Sequence, residues 1–372
     1  MLIATRNLVI HTLYTHILKK IFFMQDPEDV HDRMTQTGVR LGSHSITRKV
    51  TSLLFNYQHP MLEQEVKGIH FPNPIGLAAG FDKNALLIDV LPSVGFGFAE
   101  VGSVTGEPCA GNPKPRLSRL IKSRSLNVYY GLKNDGCEAI ASRLKDKRFP
   151  IPLGISVAKT NCEATCATLA GIEDYVKAYK AFDTIGSYMT INISCPNAFG
   201  GQPFTDRERL DMLLKEIAKL PKPKPVFLKL SPDLDQKAID SIIQVARKYT
   251  VDGFIIANLT KKKQNNPLIS DENVPEDGGL SGKVVEQQAN ELIEYVYRKT
   301  QGEFVIIGCG GVFSAEDAYT KIKLGASLIQ MISGMIFEGP QVISEINRGL
   351  VKLLQEDGYA SIGEAVGSGA QI

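Results

Sequence analysis

The segment 226–258, VFLKLSPDLDQKAIDSIIQVARKYTVDGFIIAN, runs from a short apolar stretch through an amphipathic one to a second short apolar stretch. The first, 226–231 (VFLKLS), is apolar save for Lys229 and Ser231, and is too short for a helix, as expected of a strand buried on both faces. The middle, 236–248 (QKAIDSIIQVARK), spaces apolar and polar residues as an amphipathic helix does. The last, 253–258 (GFIIAN), is strand-like again. Strand, helix and strand in succession are the crossover unit of a parallel sheet.

The pattern extends in both directions. Strand-like runs recur at 75–79 (IGLAA), 97–103 (GFAEVGS), 153–158 (LGISVA), 188–194 (YMTINIS), 304–309 (FVIIGC) and 327–333 (SLIQMIS), eight with the two above. Most gaps hold amphipathic helices, such as 206–219 and 283–299. Eight parallel strands separated by helices predict an α/β chain, a (β/α)₈ TIM barrel, which typically takes about 250 residues. A doubly wound sheet fits less well, since no GxGxxG follows the first strand. No internal repeat stands out, and 221–225 (PKPKP) is a stiff connection into the fifth strand. The gaps 104–150 and 259–282, the latter with KKKQNN and PEDGG, exceed simple connections. Loops after strand C-termini build a barrel's active site, so these insertions are expected to cover it.

The first seventy residues are a separate piece, giving an expected small N-terminal helical domain (1–70) before a catalytic barrel (71–372). Residues 1–25 hold Arg6, Lys19 and Lys20 but no acid, and charged or His side chains interrupt them too often for a membrane span of roughly 20 apolar residues. Val9, Leu13, Ile17 and Ile21 form one stripe. Such a stripe suits a helix lying in a membrane interface and equally one packed on its own protein. The absence of acids also resembles a mitochondrial presequence, but Arg and Ser are scarce. Asp26-Pro27-Glu28 opens a second helix with a cap, a first-turn proline and an acid. Two such helices before the barrel suit a hydrophobic slot leading to it.

Composition excludes other classes. The 372 residues carry 42 Lys and Arg against 40 Asp and Glu, a formal charge of +2, so no basic excess exists for nucleic-acid binding by bulk electrostatics. Hydrophobic residues make up 43%, enough to bury a full core. The six cysteines, 109, 137, 162, 166, 195 and 309, do not read as a disulfide framework, and none is set in a pattern that binds zinc or iron–sulfur. No metal is expected.

Polar residues at the strand ends mark a site. Strand one runs into Ala78-Ala79-Gly80-Phe81-Asp82-Lys83-Asn84, and strand four ends Asn192-Ile193-Ser194-Cys195-Pro196-Asn197. Strand five carries Lys229, and strand six ends Ala257-Asn258. Barrel interiors are apolar, so polar groups converging on one mouth call for a function. Strand seven leads into Gly308-Cys309-Gly310-Gly311 and strand eight into Ser333-Gly334, the loops where this fold recurrently binds phosphate. Gly278-Gly279-Leu280-Ser281-Gly282 adds further backbone donors. A phosphate-bearing cofactor beside two lysines suggests flavin mononucleotide (FMN), because a lysine stabilises the charge that develops on flavin reduction.

Taken in order, NPIGLAAGFDKN, GNPKPRLSRL, NISCPN, GGLSG and GCGGVFSAEDA resemble the dihydroorotate dehydrogenases, flavoenzymes that oxidise dihydroorotate to orotate in pyrimidine synthesis. The resemblance spans about residues 26–345. DPEDVH in the appendage resembles class 2, the membrane-associated, quinone-dependent branch. The resemblance implies that Ala78, Ala79, Gly80 and Lys83 line flavin and substrate, and that Gly102, Ser103, Ser156 and Ala257 touch the flavin. It places Asn192, Asn197 and Asn258 around the orotate ring, with Asn127, Tyr130, Gly131 and Leu132 in the substrate loop. Lys229 would sit by the flavin ring, with Ser281, Gly282, Gly310, Gly311, Ile332, Ser333 and Gly334 around the cofactor. His31 and Arg119 match positions bordering a quinone tunnel. Cys195 occupies the catalytic-base position, taking a proton from C5 while hydride leaves C6; a thiol, with an ordinary pKa near 8.5, suits that task better than a hydroxyl.

Several positions depart from class 2. Cys195 replaces the usual Ser, as in class 1. Ser156 stands for a flavin-binding Asn, Leu259 for a substrate-binding Thr and Ile332 for a Tyr. The loop from Asn127 to Gly131 is one residue longer, and Lys133 replaces Asn. The resulting reading is an FMN enzyme, peripheral to the cell membrane on its cytoplasmic face in a bacterium or to the mitochondrial inner membrane in a eukaryote. Dihydroorotate reduces the flavin and a membrane quinone reoxidises it. The alternatives are a soluble acceptor such as fumarate or NAD, a catalytically silent flavin-binding membrane protein, or a flavin barrel acting on another reduced pyrimidine.

Overall fold

The computed structural model describes residues 2–264 and 266–370; Met1 of the N-terminal segment and Asn265 of the KKKQNN tract lie outside it, with Gln371 and Ile372. Eight parallel strands close into a barrel in sequence order: β1 (Ile75–Leu77), β2 (Phe98–Val104), β3 (Leu153–Val157), β4 (Tyr188–Asn192), β5 (Val226–Leu230), β6 (Gly253–Ile256), β7 (Val305–Cys309) and β8 (Leu328–Met331). Seven fall within the expected runs, and β2 runs one residue past its own, to Val104. Every β2–β5 residue is buried, which is why these strands read as largely apolar runs and not as alternating ones.

Two layers fill the barrel interior. At its lower end a hairpin, Gln64–Val66 with Ile69–Phe71, inserts Phe71 against Phe98 edge-on, ring centroids 5.4 Å apart. Tyr188, Phe227, Ile255, Ile307 and Leu328 complete that apolar plug. Above it the filling turns polar: the buried Glu100 carboxylate accepts hydrogen bonds from Thr190 (2.9 Å) and Gln330 (3.0 Å).

Three helical segments, Leu2–Leu13, a π-helical turn Tyr14–Leu18 and Lys19–Phe23, run on as one rod. Arg6 and the buried Asn7 bond Ser344, and Tyr14 donates to the Ile336 carbonyl (2.6 Å), so one side of the rod is fixed to the barrel. The stripe lies on the other side: Val9 is 61% exposed and Ile17 51%, with Leu13 and Ile21 also exposed. Asp26 caps the next helix, Pro27–Ser43, accepting from the Glu28 and Asp29 amides. Ser45–Phe55 follows, exposing Ile46, Val50 and Leu53. Among the described residues no helix is long and apolar enough to cross a membrane.

The two long insertions meet. Leu117–Leu120 and Ser125–Val128 form a hairpin in the first, and Gly279–Gly282 from the second pairs antiparallel with Ser125–Val128. The resulting three-stranded sheet roofs the upper end of the barrel.

Candidate functional site

Beneath that roof lies a cavity with about 1280 Å³ of open space. Its floor consists of strand ends and the residues after them, and it has three chemically distinct parts.

The first is polar. Asn192, at the end of β4, donates through Nδ2 to Ser103 Oγ (2.8 Å), while its Oδ1 accepts from Ser194 and Asn258. Asn258 also donates to the Ser194 carbonyl (3.0 Å). These bonds fix two amides at the cavity edge in set orientations. Asn197 is held by its Nδ2 on the Val128 carbonyl (2.8 Å), but its buried Oδ1 has no partner among the described residues, nor has the Tyr130 hydroxyl. Buried polar atoms left open beside a cavity are places for a ligand's donors.

Cys195 lies between Asn192 and Asn197 and faces the cavity. Burial pushes its thiol pKa up, against the Asn197 amide and the charges of Lys159 and Lys261, which pull it down. Lys83 comes from the loop after β1; its ammonium sits 3.9 Å from the centre of the Tyr130 ring. Burial lowers its pKa to about 8. Gly131, Leu132 and Lys133 line the same side. Lys229 stands level with Asn192 on β5, and among the described residues no hydrogen bond engages its ammonium, which faces the cavity beside Cys309.

The second part is a glycine-built cradle. Gly282, Gly310 and Gly311 have positive φ, which glycine alone adopts without strain. A Cβ on Gly334 would lie 2.1 Å from the Val312 carbonyl, and one on Gly311 2.3 Å from Glu286 Cβ. Ser281 and Ser333 share a hydrogen bond (2.9 Å) across this wall. Ala78, Ala79, Gly80, Gly102, Ala257 and Ile332 continue it toward the polar part.

The third part is apolar. Leu117, Leu126, Val128, Val312 and Ile336 line an arm under the roof, and behind it Phe23 of the N-terminal rod packs edge-on against Phe337 (5.5 Å). His31 stands where the arm meets the polar part: its Nε2 lies 2.9 Å from the Phe81 carbonyl, and its ring touches Phe81 and Tyr130. Burial and the Lys83 charge lower its pKa.

Three expected site residues do not line the cavity. Asn127 sits between Leu126 and Val128, which do; strand alternation turns it away, to donate to the Asp277 carbonyl (3.0 Å). Ser156 is inside β3, reaching the site only by its bond to Ser103 (2.7 Å). Arg119 is displaced to the outer end of the apolar arm, where it donates to the Gln25 carbonyl (2.8 Å) and covers the Phe23 ring. All the others named above line it. Sequence reasoning passed over Lys159, buried after β3, and Glu28, which the N-terminal helix brings to the roof. Lys159-Thr160-Asn161 follow a strand end just as the chosen residues do, so the same rule would have found them. Among the described residues no cluster of three metal-ligating side chains occurs.

A family model described as dihydroorotate dehydrogenase matches residues 61–354. A relative from Haloarcula marismortui named dihydroorotate dehydrogenase (quinone) is 40% identical over 307 residues, 82% of this chain and 85% of its own. One of the same name from Natronomonas pharaonis is 39% identical over 351 residues, 94% of this chain and 98% of its own. Among solved structures, DHODH from Eimeria tenella in complex with ferulenol superposes with a TM-score of 0.81 at 28% identity, over 92% of this chain and 95% of that one.

Proposed function

This chain belongs to the dihydroorotate dehydrogenase family and is an oxidoreductase, and on that premise we propose that it oxidises dihydroorotate with FMN, uses Cys195 as general base and returns the electrons to a membrane quinone. The carrying observation is one cavity with a polar end holding a thiol and open amide groups, a glycine cradle, and an apolar arm running to the N-terminal rod. A planar imide, a nucleotide phosphate and a lipid-soluble oxidant ask for those three surroundings.

The residues fit the cofactor. Gly282, Gly310, Gly311 and Gly334 pack so closely on Arg124, Val285, Glu286 and Val312 that a Cβ would collide there, and their bare backbone along the cavity would let a phosphate approach its amides. Ser103, Lys229 and Asn192 would face its ring. Bound there, the flavin supplies the hydride acceptor for the substrate and the electron donor for the second half-reaction.

The chain's own residues do the rest. Asn192, Asn197 and Asn258 orient the ring, the open Asn197 Oδ1 accepting a ring N–H. The Lys83 ammonium pairs with the substrate carboxylate. Cys195 takes the C5 proton, which leaves carbon for sulfur. The roof excludes water from the exchange. On this reading residues 1–70 form the acceptor portal and 71–372 the catalytic barrel, with His31 at their boundary, Arg119 at the outer end of the arm, and the exposed stripe resting on the membrane.

Anaerobic stopped-flow tests it. Dihydroorotate should bleach the flavin of the wild-type protein, and a short-chain quinone, not fumarate or NAD, should restore it. Cys195→Ala should keep flavin bound and slow bleaching about 10²–10⁴-fold, the usual worth of a positioned base. An unchanged rate removes Cys195 from the mechanism, and recovery by fumarate alone removes the quinone.

A further inference from the structure

Lys159 follows β3 and is 3% exposed. Its ammonium donates to the Phe199 carbonyl (2.8 Å) and lies 3.4 Å from Thr165 Oγ1. Both partners are neutral, and among the described residues no carboxylate comes within ion-pair distance. Asp174 acts on it from further off, but the oxygens of Asp174 are already bonded by the Thr160 and Gly106 amides and the Thr160 hydroxyl. A buried cation without a counter-anion is costly unless something nearby ionises.

What stands nearby is Cys195. Lys159 and Cys195 both line a narrow recess behind the thiol, with Ala198 and Tyr175. Phe199 belongs to the loop that carries Cys195, and its amide donates to Asn161 Oδ1 (2.6 Å) while Asn112 donates to the Asn197 carbonyl (3.0 Å). The loop is thus pinned at Asn197 and at Phe199. The other groups acting on the thiol are Lys261, Cys109 and Tyr175, and those acting on Lys159 are Cys162, Cys166 and Asp174. Lys261 is exposed and screened by solvent; the phenol of Tyr175 stays neutral because burial holds its pKa far up. Lys159 is the buried cation that remains.

We propose that Lys159 is the positioning residue of the base: it fixes the loop bearing Cys195 through the Phe199 carbonyl and supplies the charge against which the thiolate forms. This rests on Cys195 being the base. In the proton transfer the C5–H bond breaks and an S–H bond forms, while Lys159 keeps its protons throughout.

The test uses full-length, flavin-loaded protein. Lys159→Gln keeps a donor for Phe199 and removes the charge; Lys159→Arg keeps both. The rate at which iodoacetamide alkylates Cys195, followed by mass spectrometry against pH, reads the thiol directly. In Lys159→Gln the midpoint should rise by about one unit, the lower end of what an adjacent opposite charge supplies, and the pH profile of flavin reduction should move with it. Lys159→Arg should restore both. A folded Lys159→Gln with an unmoved midpoint overturns the proposal.

Coupling is reciprocal, so a second measurement leaves Lys159 in place. In [¹³Cε]lysine spectra, Cys195→Ala should lower the Lys159 titration midpoint by a similar amount, and an unchanged midpoint overturns the proposal even if Lys159→Gln does not fold. If instead Cys195→Ala reduces flavin normally while the alkylation midpoints still move, the base assignment fails and the Lys159–Cys195 coupling stands.

Discussion

Glu28 and Arg116 are joined by two hydrogen bonds, Nη2 to Oε1 at 2.8 Å and Nε to Oε2 at 3.2 Å, with both side chains buried. One comes from the N-terminal helix Pro27–Ser43 and the other from the insertion that roofs the cavity. Lys133 (3.4 Å) and Lys114 (3.7 Å) gather on the same carboxylate. The appendage and the roof are therefore tied at the point where the apolar arm meets the substrate loop.

Breaking that tie should loosen the appendage before the barrel. Glu28→Ala leaves the Arg116 guanidinium buried without its partner, a change that costs about 3 kcal/mol. Limited proteolysis should then cut near residues 23–27 in the variant and not in the wild type. Acid should act alike. Burial raises the Glu28 pKa, but the Arg116 bond and the charges of Arg116, Lys114 and Lys133 outweigh it and hold the carboxyl below its ordinary value. A depressed carboxyl contributes stability above its unfolded pKa and loses it as pH falls through the folded one. Release should begin near pH 4 and grow below it, and proteolysis that is insensitive to pH there would contradict the assignment.

If Lys83 holds the substrate carboxylate as proposed, substrate affinity should fall at alkaline pH. Burial brings its pKa to about 8, so the charged form that pairs with a carboxylate is lost as pH rises through that value. The KM for dihydroorotate should climb above pH 8 while the rate at saturating substrate changes less. Lys83→Met should raise KM about 10- to 100-fold, the range of a charge-assisted hydrogen bond, and should flatten that pH dependence.

The barrel was legible in the sequence because parallel strands are buried on both faces and so leave uninterrupted apolar runs, each closed by its polar end. The pairing of Gly279–Gly282 with Ser125–Val128 was not legible, since it joins segments some 150 residues apart and no local pattern encodes such a register. The direction of Asn127 was not legible for a related reason: whether 127 or its neighbours face the cavity depends on that pairing. The Val9–Ile21 stripe was ambiguous because helical spacing looks the same against lipid and against protein, and only the bonds of Arg6, Asn7 and Tyr14 decide which side is taken.

The cradle should be intolerant of a single methyl. In Gly334→Ala the new Cβ would meet the Val312 carbonyl at 2.1 Å and Met331 at 2.9 Å, so backbone must move at the wall proposed to face the flavin. Overpacking of this kind costs about 1–3 kcal/mol, which would weaken flavin binding about 5- to 150-fold. The variant should elute with less yellow absorbance per protein and regain it at high added FMN. Full flavin content at purification would mean that Gly334 is not part of the cradle.

On the proposed reading, the exposed stripe should affect acceptor access and leave substrate chemistry alone. Val9 and Ile17 project away from the side of the rod that Asn7 and Tyr14 fix to the barrel, so Val9→Ser with Ile17→Ser removes apolar surface without touching a described hydrogen bond. Two exposed aliphatic side chains contribute about 2–3 kcal/mol when they enter an apolar phase, which sets a loss in vesicle affinity of roughly 30- to 150-fold. Reduction of the flavin by dihydroorotate, measured in solution, should be unchanged, while turnover with a long-chain quinone in vesicles should fall and turnover with a water-soluble short-chain quinone should not. Equal losses with both quinones would place the defect in the barrel, and unaltered vesicle binding would take the stripe out of the membrane contact.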